Sequence, residues 1–280
     1  MTSGILGIIA CPMLEDELIY GLTHDRESKR IYVADTGYCG SLCQKMDSRH
    51  VPYSMIDLNV FKAGNADIEG DGFRIVIIMN DLGLHEQPKD LREFIEQQVE
   101  SIQSQVDAIG LYYGLCGNYG WDVPAWCQKM GYKPTAVFRD LQGRICDDCI
   151  GVCVGGGPRY LELEKKHVGE FYVTPAVASN WHDFVGHMDI MKGLNTMSQE
   201  TLQQLGVTNA DDYMRWMFNL CGYTTMLQID TGLMDRAKFD ACAQNVSEKT
   251  GLQIKQAEPE WPTLQPAQDL YAQCKQMLAQ

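Results

Sequence analysis

Apolar runs alternate along the chain with segments whose apolar positions recur at helical spacing. Gly4–Ala10 (GILGIIA) is apolar throughout and stops at Cys11-Pro12, which predicts a buried strand. Glu15–His24 reads as a helix whose first turn carries Glu15, Asp16 and Glu17, where negative charge complements the helix dipole. Phe73–Met79 (FRIVIIM) predicts a second strand, and 89–105, with Pro88 just ahead, a long amphipathic helix. Residues 106–113 form a strand pattern that runs into Gly114-Leu115-Cys116-Gly117-Asn118. A helix over Val123–Met130 and a strand over 134–138 follow. Cys149–Val154 is apolar and leads into Gly155, Gly156 and Gly157, then a helix over 159–166. The remainder reads as strand 170–174, helices 181–194 and 211–220, strand 223–229, helix Arg236–Thr250 capped by Gly251, and helix 265–280.

Strands alternating with helices predict an α/β fold: a mostly parallel sheet with helices on both faces, in Rossmann-like layers. No tandem repeat or low-complexity linker interrupts the pattern. Residues 258–265, with two prolines and Trp261, read as a surface connection before the last helix. The chain therefore reads as a single α/β domain over 1–280, with 175–195 as the place for any subdivision.

Charge narrows the partners. With 23 Lys and Arg against 37 Asp and Glu, the formal net charge is −14, a surface that repels phosphate backbones and anionic headgroups. Neither nucleic acid nor membrane is an expected partner. No apolar run approaches the roughly 20 residues that span a bilayer. The first residues lack the basic stretch of a signal peptide, so the expected location is the cytoplasm. Eleven cysteines, an odd number, suit a reducing compartment in which thiols pack, ligate metal or react.

Ligands of open parallel sheets bind beyond the carboxyl ends of the strands. Directly after the predicted strands stand Cys11, then Asn80-Asp81 and His85, then Cys116, then Arg139-Asp140 with Asp148-Cys149 a little later. Each cysteine taken alone reads as a small buried hydrophobe. Three thiols and an imidazole at one sheet edge read instead as a metal site with an open position, the pattern of catalytic zinc. Cys11, Cys116, Cys149 and His85 are thus the candidate ligands, with His85 also a candidate acid/base. Glu15, close to Cys11, is a candidate fourth ligand or proton acceptor, against the simpler reading as favourable charge at a helix start. Cys146-x-x-Cys149-x-x-x-Cys153 has the spacing of part of an iron–sulfur site, although Cys153 sits in an apolar stretch. Cys39-x-x-x-Cys43 begins like a radical-SAM signature, but the third position holds Met46. His24, His50 and His167 have charged neighbours and read as solvated. His182 and His187 are off the spacing that would put them on one helical face. The glycines at 155 to 157 could cradle an anion but match no nucleotide-binding fingerprint.

The ordered series Ala10-Cys11-Pro12-Met13-Leu14-Glu15-Asp16-Glu17-Leu18, Leu84-His85-Glu86-Gln87-Pro88-Lys89-Asp90-Leu91, Tyr113-Gly114-Leu115-Cys116-Gly117-Asn118, Asp148-Cys149-Ile150 and Arg159-Tyr160 resembles the family catalogued as domain of unknown function 1638. The likeness runs from about residue 5 to at least Ile229-Asp230-Thr231-Gly232. The resemblance implies anaerobic one-carbon metabolism near corrinoid-dependent methyltransferases. The expected function is therefore a metal-thiolate enzyme or subunit, with zinc as the cofactor, that moves methyl groups in concert with a corrinoid protein. A [4Fe–4S] cluster on the same three thiols is the first alternative. A non-catalytic accessory protein that binds a corrinoid methyltransferase partner is the second. Gly117, Asn118, Arg159 and Tyr160, which lie in the shared motifs, are candidate cofactor contacts. The sequence departs from the family pattern in an extended segment, 141–147, that adds Cys146 and leaves Cys146 and Cys149 as competing ligands, with Cys149 the closer match.

Overall fold

Three strands of unbroken apolar character can be solvated on neither face, and the computed structural model places them side by side. It describes residues 2–279 apart from His187 and Met188, with the backbone alone for 85–86, 186 and 189–192. The strands are β1 (Gly4–Ala10), β2 (Lys29–Asp35), β3 (Ser54–Asp57), β4 (Phe73–Met79), β5 (Ala108–Tyr112), β6 (Thr135–Val137), β7 (Glu170–Val173), β8 (Thr225–Gln228) and β9 (Gln253–Gln256). The first six form one sheet in the order β3-β2-β4-β1-β5-β6, with every pair parallel. β1, β4 and β5 occupy its centre, and their residues are buried almost without interruption. The expected α/β class and parallel sheet are what the structure shows.

The chain divides into two compact units: Met1–Gly157 together with Leu264–Gln280, and Pro158–Thr263. In the first unit, helix Gln265–Met277 packs on helix Glu15–His24 and on β5. Its contacts are close enough to require glycine beneath it. A Cβ on Gly110 would lie 2.7 Å from Cys274 Sγ, and one on Gly21 would lie 2.8 Å from the Tyr271 ring. In the second unit, β7, β8 and β9 form a parallel sheet in that order. Phe171, Trp181, Phe218 and Tyr223 pack edge-to-face beside it. The 175–195 stretch lies inside this second unit.

No apolar pattern predicts an element between 25 and 72, where the structure has β2, β3 and the helices Gly40–Ser48 and Leu58–Lys62. The long helix expected over 181–194 is two helices, Trp181–Gly186 and Asp189–Thr196. Its middle, with His187, falls outside the described residues.

Candidate functional site

The central sheet fixes where the site residues start. β1 is in register with both neighbours so that Ala10 faces Met79 on one side and Tyr112 on the other. The next residue of each strand is therefore level with the others: Cys11, Asn80 and Tyr113. Two hydrogen bonds extend the ladder by this one step, Asn80 N to Ala10 O at 3.0 Å and Cys11 N to Tyr112 O at 3.2 Å. The chain leaves β1 toward β2 and leaves β5 toward β6, in opposite directions across the sheet. The crevice between β1 and β5 is therefore a topological switch point, where open α/β sheets bind ligands.

Cys116 and Cys149 are brought to this edge by paired backbones. Leu115 N donates to Cys146 O at 3.0 Å and Cys116 N to Asp147 O at 2.7 Å. The two segments touch so closely that a Cβ on Gly114 would stand 2.6 Å from Asp148 Cα. Cys116 itself has φ +45°, a left-handed conformation that β-carbon-bearing residues adopt at a cost of about 1–2 kcal/mol. Asp148 accepts from Gly151 N at 2.7 Å and so caps helix Cys149–Val154, which begins with the third thiol. The added segment 141–147 is a turn. Asp140 accepts from the backbone of Gln142 and Arg144 and from the Arg144 guanidinium, and Arg139 bridges Ile145. This turn delivers the carbonyls that hold the Cys116 loop.

The three thiols sense one another. Burial pushes Cys11 above the ordinary thiol range, and the neighbouring Cys116 adds to it. Burial and then Asp148 push Cys116 up to about 12. Cys149 is raised well above its ordinary value by burial, then by Asp148, Cys116 and Cys11. Residues from three separate stretches of chain thus lie within electrostatic reach at one edge, and Cys116 and Cys149 keep part of their surface open. Cys146 does not join them. It is fully buried and pushed up to about 12 by burial and by Asp140, Asp147 and Asp148. Among the described residues, no three His, Cys, Asp or Glu side chains are placed as a formed metal-holding group.

The acidic triplet is buried rather than solvated, and its members face different ways. Glu15 takes Lys45 Nζ at 2.8 Å and Ser41 Oγ at 2.6 Å, and Asp16 takes Lys45 Nζ at 2.7 Å, so both point toward helix Gly40–Ser48. Glu17 turns inward, accepting from Cys153 Sγ at 3.6 Å. Burial, then Asp16, push it up to about 7, and it adds in turn to the raised values of Cys149 and Cys153. Around this edge, Glu15 Oε2, Glu17 Oε2, Asn80 Nδ2 and the hydroxyls of Tyr112 and Tyr113 are buried with no hydrogen-bond partner among the described residues. Such a concentration of unsatisfied polar atoms is uncommon in a folded interior and is one mark of a functional site.

The other expected site residues are distributed as follows. His85 lies in the 3-10 turn Leu82–Glu86, and its side chain is outside the described residues. Gly117, with φ +85°, and Asn118 dock on the start of helix Pro88–Ile102, where Asn118 Nδ2 donates to Pro88 O at 2.8 Å. Arg159 and Tyr160 are in the second unit. There Arg159 donates to the carbonyls of Glu260 and Trp261 and lies over the Trp261 ring at 5.6 Å, while Tyr160 meets Tyr172 edge-on. His167, expected in solvent, is buried at 3 % exposure, with Nδ1 on Glu170 at 2.8 Å and Nε2 on Glu258 at 3.0 Å.

A family model described as "Protein of unknown function (DUF1638)" matches residues 79–267, more than half of the chain. The chain belongs to that family. The matched span carries Cys116 and Cys149, and Cys11 lies outside it. No curated protein and no solved structure matches the chain.

Glu17, Cys153 and Tyr113 were missed as site residues by sequence reasoning. Tyr113 had a usable signal, as the residue that follows a central strand. Glu17 had none, because three acids at a helix start are explained equally well by the dipole.

Proposed function

We propose that Cys11, Cys116 and Cys149 hold a metal ion, zinc in the first instance, and that the chain uses it to move a methyl group to or from a small thiol substrate. What supports the reading is that three thiols from separate stretches of chain lie within electrostatic reach of one another beside the topological switch point. The donor chemistry fits: thiolates select zinc and softer ions, and a backbone turn of His85 follows the adjacent strand. The raised thiol values fit as well, since a cation is what would compensate three buried thiolates, with release of their protons on binding. A bound zinc would supply charge that keeps a substrate thiol ionised at neutral pH. The remaining work falls to the chain. Glu17, with its titration near 7, accepts the proton displaced from a thiol, and Asn80 and Tyr113 bring buried polar groups to orient a polar substrate.

The corrinoid protein as methyl donor rests on the family resemblance, and the net charge of −14 suits docking to a basic partner surface. The reading places the protein in the reducing cytoplasm, in keeping with eleven cysteines that are all free thiols. Among the described residues, no helix is long and apolar enough to cross a membrane.

The test is elemental analysis and absorption of protein purified without oxygen. About one zinc per chain is expected, falling severalfold in Cys116→Ser with the far-UV spectrum unchanged. A brown protein absorbing near 400 nm would assign the same thiols to an iron–sulfur cluster instead. Zinc stoichiometry unaltered in Cys116→Ser would overturn the ligand set. Binding of a corrinoid protein without methyl transfer to any thiol would reduce the role to that of an accessory.

A further inference from the structure

A second group of sulfur atoms lies on the first unit, formed by residues that the proposed thiol site does not use. Cys39 occupies the N-cap position of helix Gly40–Ser48, and Cys43 stands one turn further on, with Cys43 N donating to Cys39 O at 2.9 Å. Residues four apart share one helical face, and Cys39 is among the groups that raise the Cys43 thiol above its ordinary value. The helix packs over the edge of the sheet, where β3 presents Met55. Cys43 Sγ and Met55 Sδ are 3.9 Å apart. Tyr53, two residues before Met55, also acts on the Cys43 thiol.

The spacing is informative. Three sulfurs bonded to a metal at about 2.3 Å in a trigonal plane stand about 4 Å from one another. The Cys43–Met55 separation already has that value, across the short connection that leads from the helix into β3. Cys39 is buried, Cys43 half-buried and Met55 about half exposed, so the cluster has an apolar floor and an open mouth. Two thiols and a thioether, without imidazole or carboxylate among them, form a soft donor set. Zinc sites seldom use thioether, whereas Cu(I) and Ag(I) take two or three soft ligands readily.

We propose that Cys39, Cys43 and Met55 form a binding site for a monovalent thiophilic cation, Cu(I) or Ag(I), separate from the thiols at 11, 116 and 149. On binding, the two thiols lose their protons to solvent and the thioether completes a three-sulfur shell. The metal undergoes no change of oxidation state.

The experiment is an anaerobic titration of the full-length protein with Cu(I) buffered by a competing chromogenic chelator, repeated with Ag(I). Each substitution is made separately. Cys39→Ser and Cys43→Ser are each expected to remove one equivalent of Cu(I) and lower the affinity of this site by about 100-fold or more. Met55→Leu is expected to weaken it by about tenfold, comparable to the loss of a supporting ligand. Cys116→Ser is expected to leave this equivalent in place, which separates failure here from failure of the zinc proposal. Serine is a better N-cap than cysteine, so Cys39→Ser keeps the helix, and a thermal melt without metal checks both serine variants. Cu(I) stoichiometry and affinity unchanged in Cys39→Ser and Cys43→Ser would overturn the site, as would loss of this equivalent in Cys116→Ser alone. An unaltered affinity in Met55→Leu would overturn the three-sulfur shell.

Discussion

Three consecutive acids at the start of one helix reach two different fates, because the helix turns Glu17 away from the side that Glu15 and Asp16 share. Glu15 and Asp16 meet Lys45, and Asp16 also has Arg49 at 3.8 Å. Glu17 meets a thiol instead and, among the described residues, has no cation in salt-bridge contact. A carboxyl raised from 4.5 to about 7 on folding holds its proton more tightly in the folded state. Its contribution to stability is therefore complete below pH 4.5 and is lost as the pH rises through about 7. For metal-free protein, the loss across that window is about 3 kcal/mol. Glu17→Gln, which keeps the shape and cannot ionise, is expected to flatten this part of the profile and to be the more stable form at pH 8. Thermal melts of both proteins from pH 4.5 to 8 check it, and parallel profiles would show that Glu17 does not titrate there.

At the scale of elements, the site depends on two loops held back-to-back rather than on any one motif. Gly114 is where they touch: a methyl group there must displace the backbone at Asp147 and Asp148, not a flexible side-chain end. Gly114→Ala is expected to cost about 2–3 kcal/mol in denaturant unfolding and, by separating the Cys116 loop from Cys149, to lower zinc content more than global stability alone would. The central strands behind these loops were legible in the sequence because burial on both faces forces a continuous apolar run, and Cys11 and Cys116 were legible because they follow such strands, whereas Cys149 opens a helix beyond the short edge strand β6. β3 was not legible. Its four residues, SMID, lie at the sheet edge and are mostly exposed, so no apolar pattern marks them. The turn at 141–147 looked like a disturbance of the family pattern, yet it supplies the carbonyl that Cys116 needs.

The whole molecule consists of two parallel sheets, each with its own core, and the second unit carries its own polar hub. His167 lies between Glu170 and Glu258, Lys255 and Lys166 flank those carboxylates, and Trp261 Nε1 donates to Glu258 at 2.9 Å. Partners as distant in sequence as 167 and 258 leave no trace in local pattern, so His167 read as solvated. His167→Leu leaves two carboxylates without their shared hydrogen-bond partner and is expected to cost about 2–3 kcal/mol within this unit. Hydrogen exchange is the suitable measurement: amides of β7 should exchange faster, while those of β1 keep their protection.

The return of helix Gln265–Met277 to the first unit has a consequence for biosynthesis. More than a hundred residues separate that helix from β5, whose glycine face it covers. While the ribosome is still adding the intervening segment, the part of the nascent sheet at β5 that this helix covers lies bare. Chaperones that shield emerging apolar surface would engage this interval, and the order of translation sets how long it lasts.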